Sequence, residues 1–427
     1  MSKEKRIQGV SNIKILILSP YIYFEVCKEH RKNKTGFGMM VLNIASALSN
    51  CGNNTYVLTH TLCHKFDKEM LHICKHNIFN LLFHIQIKGI LSEILMIHRR
   101  EMSDVMILRY LYYLFDKGYV KHSIRAVRPD IVHIHGLGLG SKCYIDICKE
   151  LDIPYILTVH GLIQNAPDAT DPDKAYERQF LRISEEENIT LTVISSGIKR
   201  RLTNTYYGLR SAENVTVITN GTDVSPKPPY RDIKKELGVS SSHKLCLAVG
   251  SVCSGKNQIQ ILRAIALMPH DFRQRVRLII IGTICSNYPI FANIKELGLE
   301  DTTIVTGFIP HEELHNYYAA ADLNILASHD EGFGLSIIEG FVYGVPSVTF
   351  SDLDAISDLY DEKAMVLCDE RSDEAFSKKI RFALEKQWDR EAIKEYSKKF
   401  SMESMTEKYI SVFKQEIAKH NCKKLPV

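Results

Sequence analysis

Leu323-Asn324-Ile325-Leu326 is followed within a few residues by Glu331-Gly332-Phe333-Gly334-Leu335-Ser336-Ile337-Ile338-Glu339-Gly340. The apolar run, short and bounded by polar residues, reads as a strand buried on both faces. Gly332 and Gly334 permit a tight loop whose backbone comes close to a ligand. A helix beginning near Leu335 or Ser336 has unpaired first amides and the positive end of its dipole there, so it can hold a phosphate. Glu339 is expected in the first helical turn, facing the same gap, where a carboxylate accepts hydrogen bonds from ribose hydroxyls. Glu331, on the loop, is placed to contact a sugar. Ser336-x-x-Glu339 also reads as a capping box, in which both side chains only satisfy helix amides. That second reading gives no work to Glu331 or to the glycine pair.

The same strand-loop-helix unit recurs on both sides. Upstream, Lys14–Ser19, Tyr56–Thr59, Pro129–Gly136, Pro154–Gly161, Thr190–Ser195 and Val215–Ile218 read as strands separated by helical patterns. Asn220-Gly221-Thr222-Asp223 and the prolines from Pro226 to Pro229 then break the periodicity as a linker does. The alternation restarts with Lys244–Val249, Val276–Ile281, Thr303–Val305, Leu323–Leu326 and Pro346–Thr349. Alternating strands and helices give an α/β chain with parallel sheets. Two doubly wound domains are expected, residues 1–223 and 224–401, with a helix at about 402–418 packing back on the first. Such sheets bind ligands beyond the carboxyl ends of their strands, so the two halves should face a shared cleft. Residues 62–125, rich in Leu, Ile, His and Lys, read as two or three amphipathic helices.

Composition fits this plan. The chain has 427 residues, 45% hydrophobic and 24% charged, which suits two globular cores. A net charge of +4 is too weak to indicate nucleic-acid binding. Eleven cysteines with irregular spacing read as free thiols in a reducing cytosol. No apolar stretch is long enough to span a membrane, so a cytoplasmic protein is expected.

Other residues at strand ends could carry chemistry. Lys256 follows the strand Lys244–Val249 and can neutralise a diphosphate. Gly250 to Lys256 matches the spacing of a P-loop, but Asn257 stands where Ser or Thr must bind magnesium. Gly36-Phe37-Gly38 follows the first strand and suits a loop whose backbone approaches a phosphate or sugar. His160 ends a strand and should point into the cleft. His133 and His135 share one face of another strand and read as structural histidines, since no carboxylate pattern accompanies them for a metal.

Taken in order, these motifs resemble those of glycosyltransferase family 4, retaining enzymes of the GT-B fold. The carriers are Glu331 and Glu339 with seven residues between them, Gly36-Phe37-Gly38, Val159-His160-Gly161, Ser195, Asn220 to Asp223, Lys256, Gly307-Phe308 and Gly344-Val345-Pro346. The resemblance implies a nucleoside-diphosphate sugar donor and a glycan or lipid-linked acceptor, as in surface polysaccharide or glycoconjugate synthesis. It implies that Lys256 contacts the diphosphate and that Glu339 binds the ribose. The Gly334 and Leu335 amides, with Ser336 beside them, would support the phosphates. Glu331 and His160 would contact the transferred sugar, the backbone near Phe308 and Ile309 would meet the base, and Gly36 and Gly38 would let the first domain close. It implies no cofactor and no metal, because protein cations and helix dipoles stabilise the leaving group. Residues 62–125, with His98, Arg99, Arg100 and Lys121, suit either a peripheral contact with the inner face of a membrane or plain packing on the sheet. The chain departs from the family at Ser251, where an arginine is usual, at Ala327-Ser328 in place of Pro-Ser, and at Asp358 in place of a late glutamate. An epimerase or phosphorylase on the same architecture, or a non-catalytic binding module, are the alternative functions.

Overall fold

The computed structural model describes residues 12–32, 35–84, 104–162, 189–205 and 214–423, with a few positions between 171 and 181. Eight strands form the first sheet: β1 (Lys14–Ser19), β2 (Asn54–Thr59), β3 (Phe66–Lys68), β4 (Leu71–Ile73), β5 (Ile131–His135), β6 (Tyr155–Val159), β7 (Leu191–Val193) and β8 (Val215–Val217). Their order is β3-β4-β2-β1-β5-β6-β7-β8. The second sheet holds β9 (Lys244–Val249), β10 (Val276–Ile281), β11 (Thr303–Gly307), β12 (Leu323–Ile325), β13 (Ser347–Phe350) and β14 (Met365–Cys368), ordered β11-β10-β9-β12-β13-β14. Every pairing is parallel except β3 with β4.

Period-two alternation explains why both faces of each sheet are covered. On β1, Ile15 and Ile17 pack with Val41, Ile44 and Leu48 of the helix Gly36–Asn50, while Leu16 and Leu18 pack with Tyr119, Val120 and Ile124 on the opposite side. On β9, Leu245 and Leu247 face Leu314, Tyr317 and Tyr318, and Cys246 and Ala248 face Ile261, Leu262 and Ile265. The helix Gly36–Asn50 is capped by Thr35, whose Oγ1 accepts from the Gly38 amide at 3.1 Å. It stops before Gly52, which takes a φ of 84° that suits glycine.

The segment 62–125 departs from its all-helical reading. It contains the hairpin β3–β4, which extends the sheet edge by parallel pairing of β4 with β2. The hairpin turns at Glu69, φ 53°, with none of the Asn-Gly or Asp-Gly chemistry that announces such turns. Among the described residues, the helices Ile78–Phe83 and Asp104–Val127 follow. Residues 85–103, with His98, Arg99 and Arg100, lie outside the described residues.

The direction of the chain reverses its winding between β1 and β5 in the first sheet and between β9 and β12 in the second. Those switch points open a crevice at the strand carboxyl ends. The last helix, Met402–Cys422, returns to the first sheet, where Met405, Tyr409, Val412 and Phe413 join the cluster of Ile15 and Ile17. Two stretches of chain cross between the sheets side by side. The Thr222 amide donates to the Phe400 carbonyl at 2.9 Å, and the Met402 amide to the Thr222 carbonyl at 3.1 Å.

Phe413 is fully buried at this junction. Phe413→Ala is expected to lower unfolding free energy by about 3–5 kcal/mol. Urea denaturation followed by circular dichroism reads this as a lower midpoint, and a loss under about 1 kcal/mol would mean that the last helix does not anchor the first sheet.

Candidate functional site

A cleft of about 370 Å³ lies between the two sheets and draws on both. From the first domain come Tyr23, Gly36, Met40, His160, Ile194 and Asn220. The second supplies Ser251, Lys256, Phe308, Ile309, His311, Glu331, Gly334, Leu335, Ser336 and Glu339. The sequence-selected residues therefore converge, with one exception. Gly38 does not line the cleft; it is buried in the first turn of its helix, which begins at Gly36 rather than after Gly38.

Lys256 reaches the cleft from the turn after β9, in a single helical turn Ser254–Lys256. Its stem runs beside Gly250, where a Cβ would stand 3.9 Å from Lys256 Cδ and Cε. Its ammonium donates to Glu331 Oε2. Glu331 Oε1 accepts from the Gly334 amide at 3.0 Å. The Glu331 carboxylate thus sits as an anion between a lysine and a helix start. Burial alone would lower the Lys256 pKa; Glu331 outweighs it and raises the value, so the ammonium stays charged.

The helix Leu335–Val342 begins at Gly334, φ 79°, and carries no side-chain cap. Its amino end faces the cleft, the geometry that attracts an anion. The capping-box reading fails because Ser336 lies inside the helix and not at its cap. Glu339 is in the second turn, not the first. Its Oε1 is held by His311 Nε2 at 3.0 Å and its Oε2 accepts from Tyr318 Oη at 3.0 Å. Neither partner was singled out from the sequence. His311 directly follows Phe308-Ile309-Pro310, which is the signal that could have found it.

His160 follows β6 and meets the ring of Phe37 edge-on, centroids 4.9 Å apart. Its Nε2 pairs with His135 Nδ1 at 2.8 Å. The ring of His135 lies 4.0 Å from that of His133, and His133 Nε2 pairs with Thr158 Oγ1 at 2.6 Å. Burial pushes His160 down to about 4 and holds His133 and His135 well below the usual histidine range. All three rings are therefore neutral near pH 7. Among the described residues, no group of three or more His, Cys, Asp or Glu side chains could hold a metal ion.

The domains touch below the cleft. A Cβ on Gly332 would stand 2.6 Å from the His160 carbonyl oxygen, so glycine allows the loop after β12 to lie on the end of β6. Asp358 accepts from the Ser196 amide and hydroxyl, both at 2.6 Å. Arg201 Nε pairs with Asp354 at 2.8 Å. Asp358 thus works as a strut between domains in this structure.

Two family profiles match the chain consecutively: Glycosyltransferase Family 4 over residues 35–226 and Glycosyl transferases group 1 over residues 230–400. The D-inositol 3-phosphate glycosyltransferase of Corynebacterium aurimucosum is 28% identical over 233 residues, 51% of this chain and 55% of the relative. The putative teichuronic acid biosynthesis glycosyltransferase TuaC of Bacillus subtilis is 24% identical over 269 residues, 62% of this chain and 64% of the relative. The match thus spans between about half and two thirds of these curated relatives. Sucrose-phosphate synthase from Thermosynechococcus elongatus superposes with a TM-score of 0.74 at 15% identity, covering 95% of this chain and all of that one. HepE of Anabaena, in its complex with UDP and glucose, gives 0.65 at 15% identity over 94% of this chain and all of that one. The fold is GT-B, and the chain belongs to glycosyltransferase family 4.

The neutral histidine chain has a consequence for acid stability. Free histidine takes a proton near pH 6.5, so below that value the unfolded chain binds protons that folded His160 refuses until about pH 4. Stability should therefore be full above about pH 6.5 and fall as pH drops towards about 4. Urea midpoints measured across this range check it. His160→Gln should flatten part of the slope, and an unchanged slope would show that His160 is protonated in the fold.

Proposed function

We propose that the cleft binds a nucleoside-diphosphate sugar and that the chain transfers the sugar, with retention, to a hydroxyl of a glycan or lipid-linked acceptor. One observation carries this reading. Lys256, the uncapped amino end at Leu335 and the carboxylate of Glu339 converge on one cleft that His160 closes from the other domain.

In this reading the diphosphate lies between Lys256 and the Leu335 and Ser336 amides, displacing the Glu331 carboxylate from the ammonium. Glu331 then turns to the sugar hydroxyls, opposite neutral His160. Glu339 keeps His311 and Tyr318 as partners and accepts from the ribose with its remaining lone pairs. Phe308 and Ile309 flank the base. The bond from the anomeric carbon to the phosphate oxygen breaks, and the acceptor oxygen bonds to that carbon on the same face. The acceptor proton passes to the departing phosphate oxygen. Charge develops on that leaving oxygen, so donors fixed around it lower the barrier most. Lys256 and the helix amides are those donors, and the roles need no metal or cofactor.

Support for the donor class comes from HepE, whose solved complexes contain UDP and glucose. For the acceptor it comes from TuaC, named for teichuronic acid biosynthesis. Ile78, Phe79, Phe83 and Phe115 are exposed, and such apolar side chains favour a peripheral membrane contact through 62–125 that would bring a lipid-linked acceptor within reach. Among the described residues no helix is long and apolar enough to cross a membrane.

A thermal-shift panel of UDP-, GDP- and ADP-sugars should raise the melting temperature with one base. Lys256→Ala should then cut kcat by about 100- to 1000-fold while the melting temperature of the free protein stays close to that of the parent. Full turnover in that variant would end the proposed role. Isomerisation of the donor without acceptor would replace transfer by epimerisation.

A further inference from the structure

The charges lining the cleft do not balance for an anionic ligand. Among the described residues that line it, Lys256 is the one lysine or arginine, against two carboxylates, Glu331 and Glu339. His160 contributes nothing, since burial keeps it neutral. With His311 also neutral, the described lining residues carry a net negative charge before any diphosphate arrives. A site in that state repels its ligand. Among the described lining residues, His311 is the one that can change the sum near neutral pH.

His311 is placed to do so. It follows β11 at the start of the turn before the helix Leu314–Ala320, where Pro310 fixes the approach. Its side chain is 44% exposed, so a charged ring keeps much of its hydration, while its Nε2 touches Glu339 at 3.0 Å. Tyr318 binds the other carboxylate oxygen and prevents Glu339 from swinging away. Behind the pair lies a small recess of about 60 Å³ lined by Asp223, Lys227, Glu312, His315, Tyr318 and Tyr343. Lys227 there opposes a charge on His311, and Glu312 favours it. His315 is turned to the Glu312 carbonyl at 2.6 Å.

We propose that His311, as the imidazolium paired with Glu339, is a positioning and charge-balancing residue that makes donor affinity depend on pH. The inference rests on the donor reading above. Protonated His311 cancels the Glu339 charge beside the ribose and leaves Lys256 to meet the diphosphate. It also holds the carboxylate still for the ribose hydroxyls. The hydrogen bond and the charge of Glu339 both push the His311 pKa up, against burial and Lys227. The sign follows: affinity is full below the folded value and is lost as pH rises through it, in a window above about 6.5. A bound diphosphate adds negative charge and moves the window higher still, because binding and protonation are reciprocal.

The test measures the affinity of UDP-, GDP- and ADP-glucose by titration calorimetry from about pH 6 to about pH 9. The diester phosphates of these donors do not titrate there, and adenine has no ring N–H to lose in that range, so the slope with ADP-glucose is a property of the protein. Wild type should weaken about three- to thirtyfold across that range. His311→Gln should bind at the weaker level throughout, with no slope. His311→Lys, a cation that stays charged, should keep tight binding at the alkaline end. The imidazole titration of His311, followed by NMR, should move upward when donor is added. A wild-type slope retained in His311→Gln, or a ring titration that donor leaves unmoved, overturns the inference while donor binding itself stands. Wild type that binds none of the three donors at any pH overturns the inference and the donor reading together.

Discussion

The Glu331 carboxylate, held between the Lys256 ammonium and the Gly334 amide, is the contact on which the arrangement of the cleft depends. It joins the loop after β9 to the loop after β12, the two loops that flank the switch point of the second sheet. Strand order alone brings their ends near one another. The ion pair then fixes the distance between a flexible lysine and a helix start, and does so with the same chemistry a phosphate would use. A carboxylate standing in an anion site also offsets the burial that would otherwise lower the lysine's pKa. The site is thus preorganised for an anion without an unpaired buried charge, which would be costly to the fold.

Histidines show how environment divides one side chain between two tasks. His160 has an imidazole, His135, as its partner and is depressed by burial, so it offers a neutral polar surface. His311 has a carboxylate as its partner and an open side to water, so it favours the cation. Nothing in residue type distinguishes them. The difference is which strand end each follows: β6 leads back into the first core, whereas β11 leads to the rim of the second sheet facing Glu339.

This also marks what could be read from the chain. Lys256, Glu331 and the glycine loop were legible because each stands a fixed few residues after an apolar run, and a parallel sheet must put such positions at one edge. The doubly wound architecture followed from the same alternation. His311 and Tyr318 were not legible as partners of Glu339, since that triad depends on how the helix Leu314–Ala320 packs beside the helix Leu335–Val342. Spacing within one segment carries no information on that. The hairpin β3–β4 escaped for a local reason: a Glu in a left-handed turn lacks a sequence signature. Gly36-Phe37-Gly38 forms the first helical turn and not a loop, because Thr35 caps the helix, and a threonine before two glycines is a weak signal for a helix start.

The relation between the two domains rests on where side chains are missing. Ile194 and Ile198 of the first domain share one apolar cluster with Phe333, Phe341 and Ile356 of the second, so attraction across the interface is hydrophobic and not directional. Direction comes from close approach. A Cβ would meet backbone at 2.3 Å on Gly197, at 2.6 Å on Gly332 and at 2.7 Å on Gly221, and the facing residues are Asp354, His160 and Ser401. Each pairs a glycine of one segment with the main chain of another, and between them they pin the interface at separate points. Any larger residue there would hold the domains apart by an ångström or more. Cleft contacts are hydrogen bonds near 3 Å, which fail over that distance. The glycines therefore set the spacing at which His160 and Lys256 line one cleft, although of the three only Gly332 lies on the cleft itself.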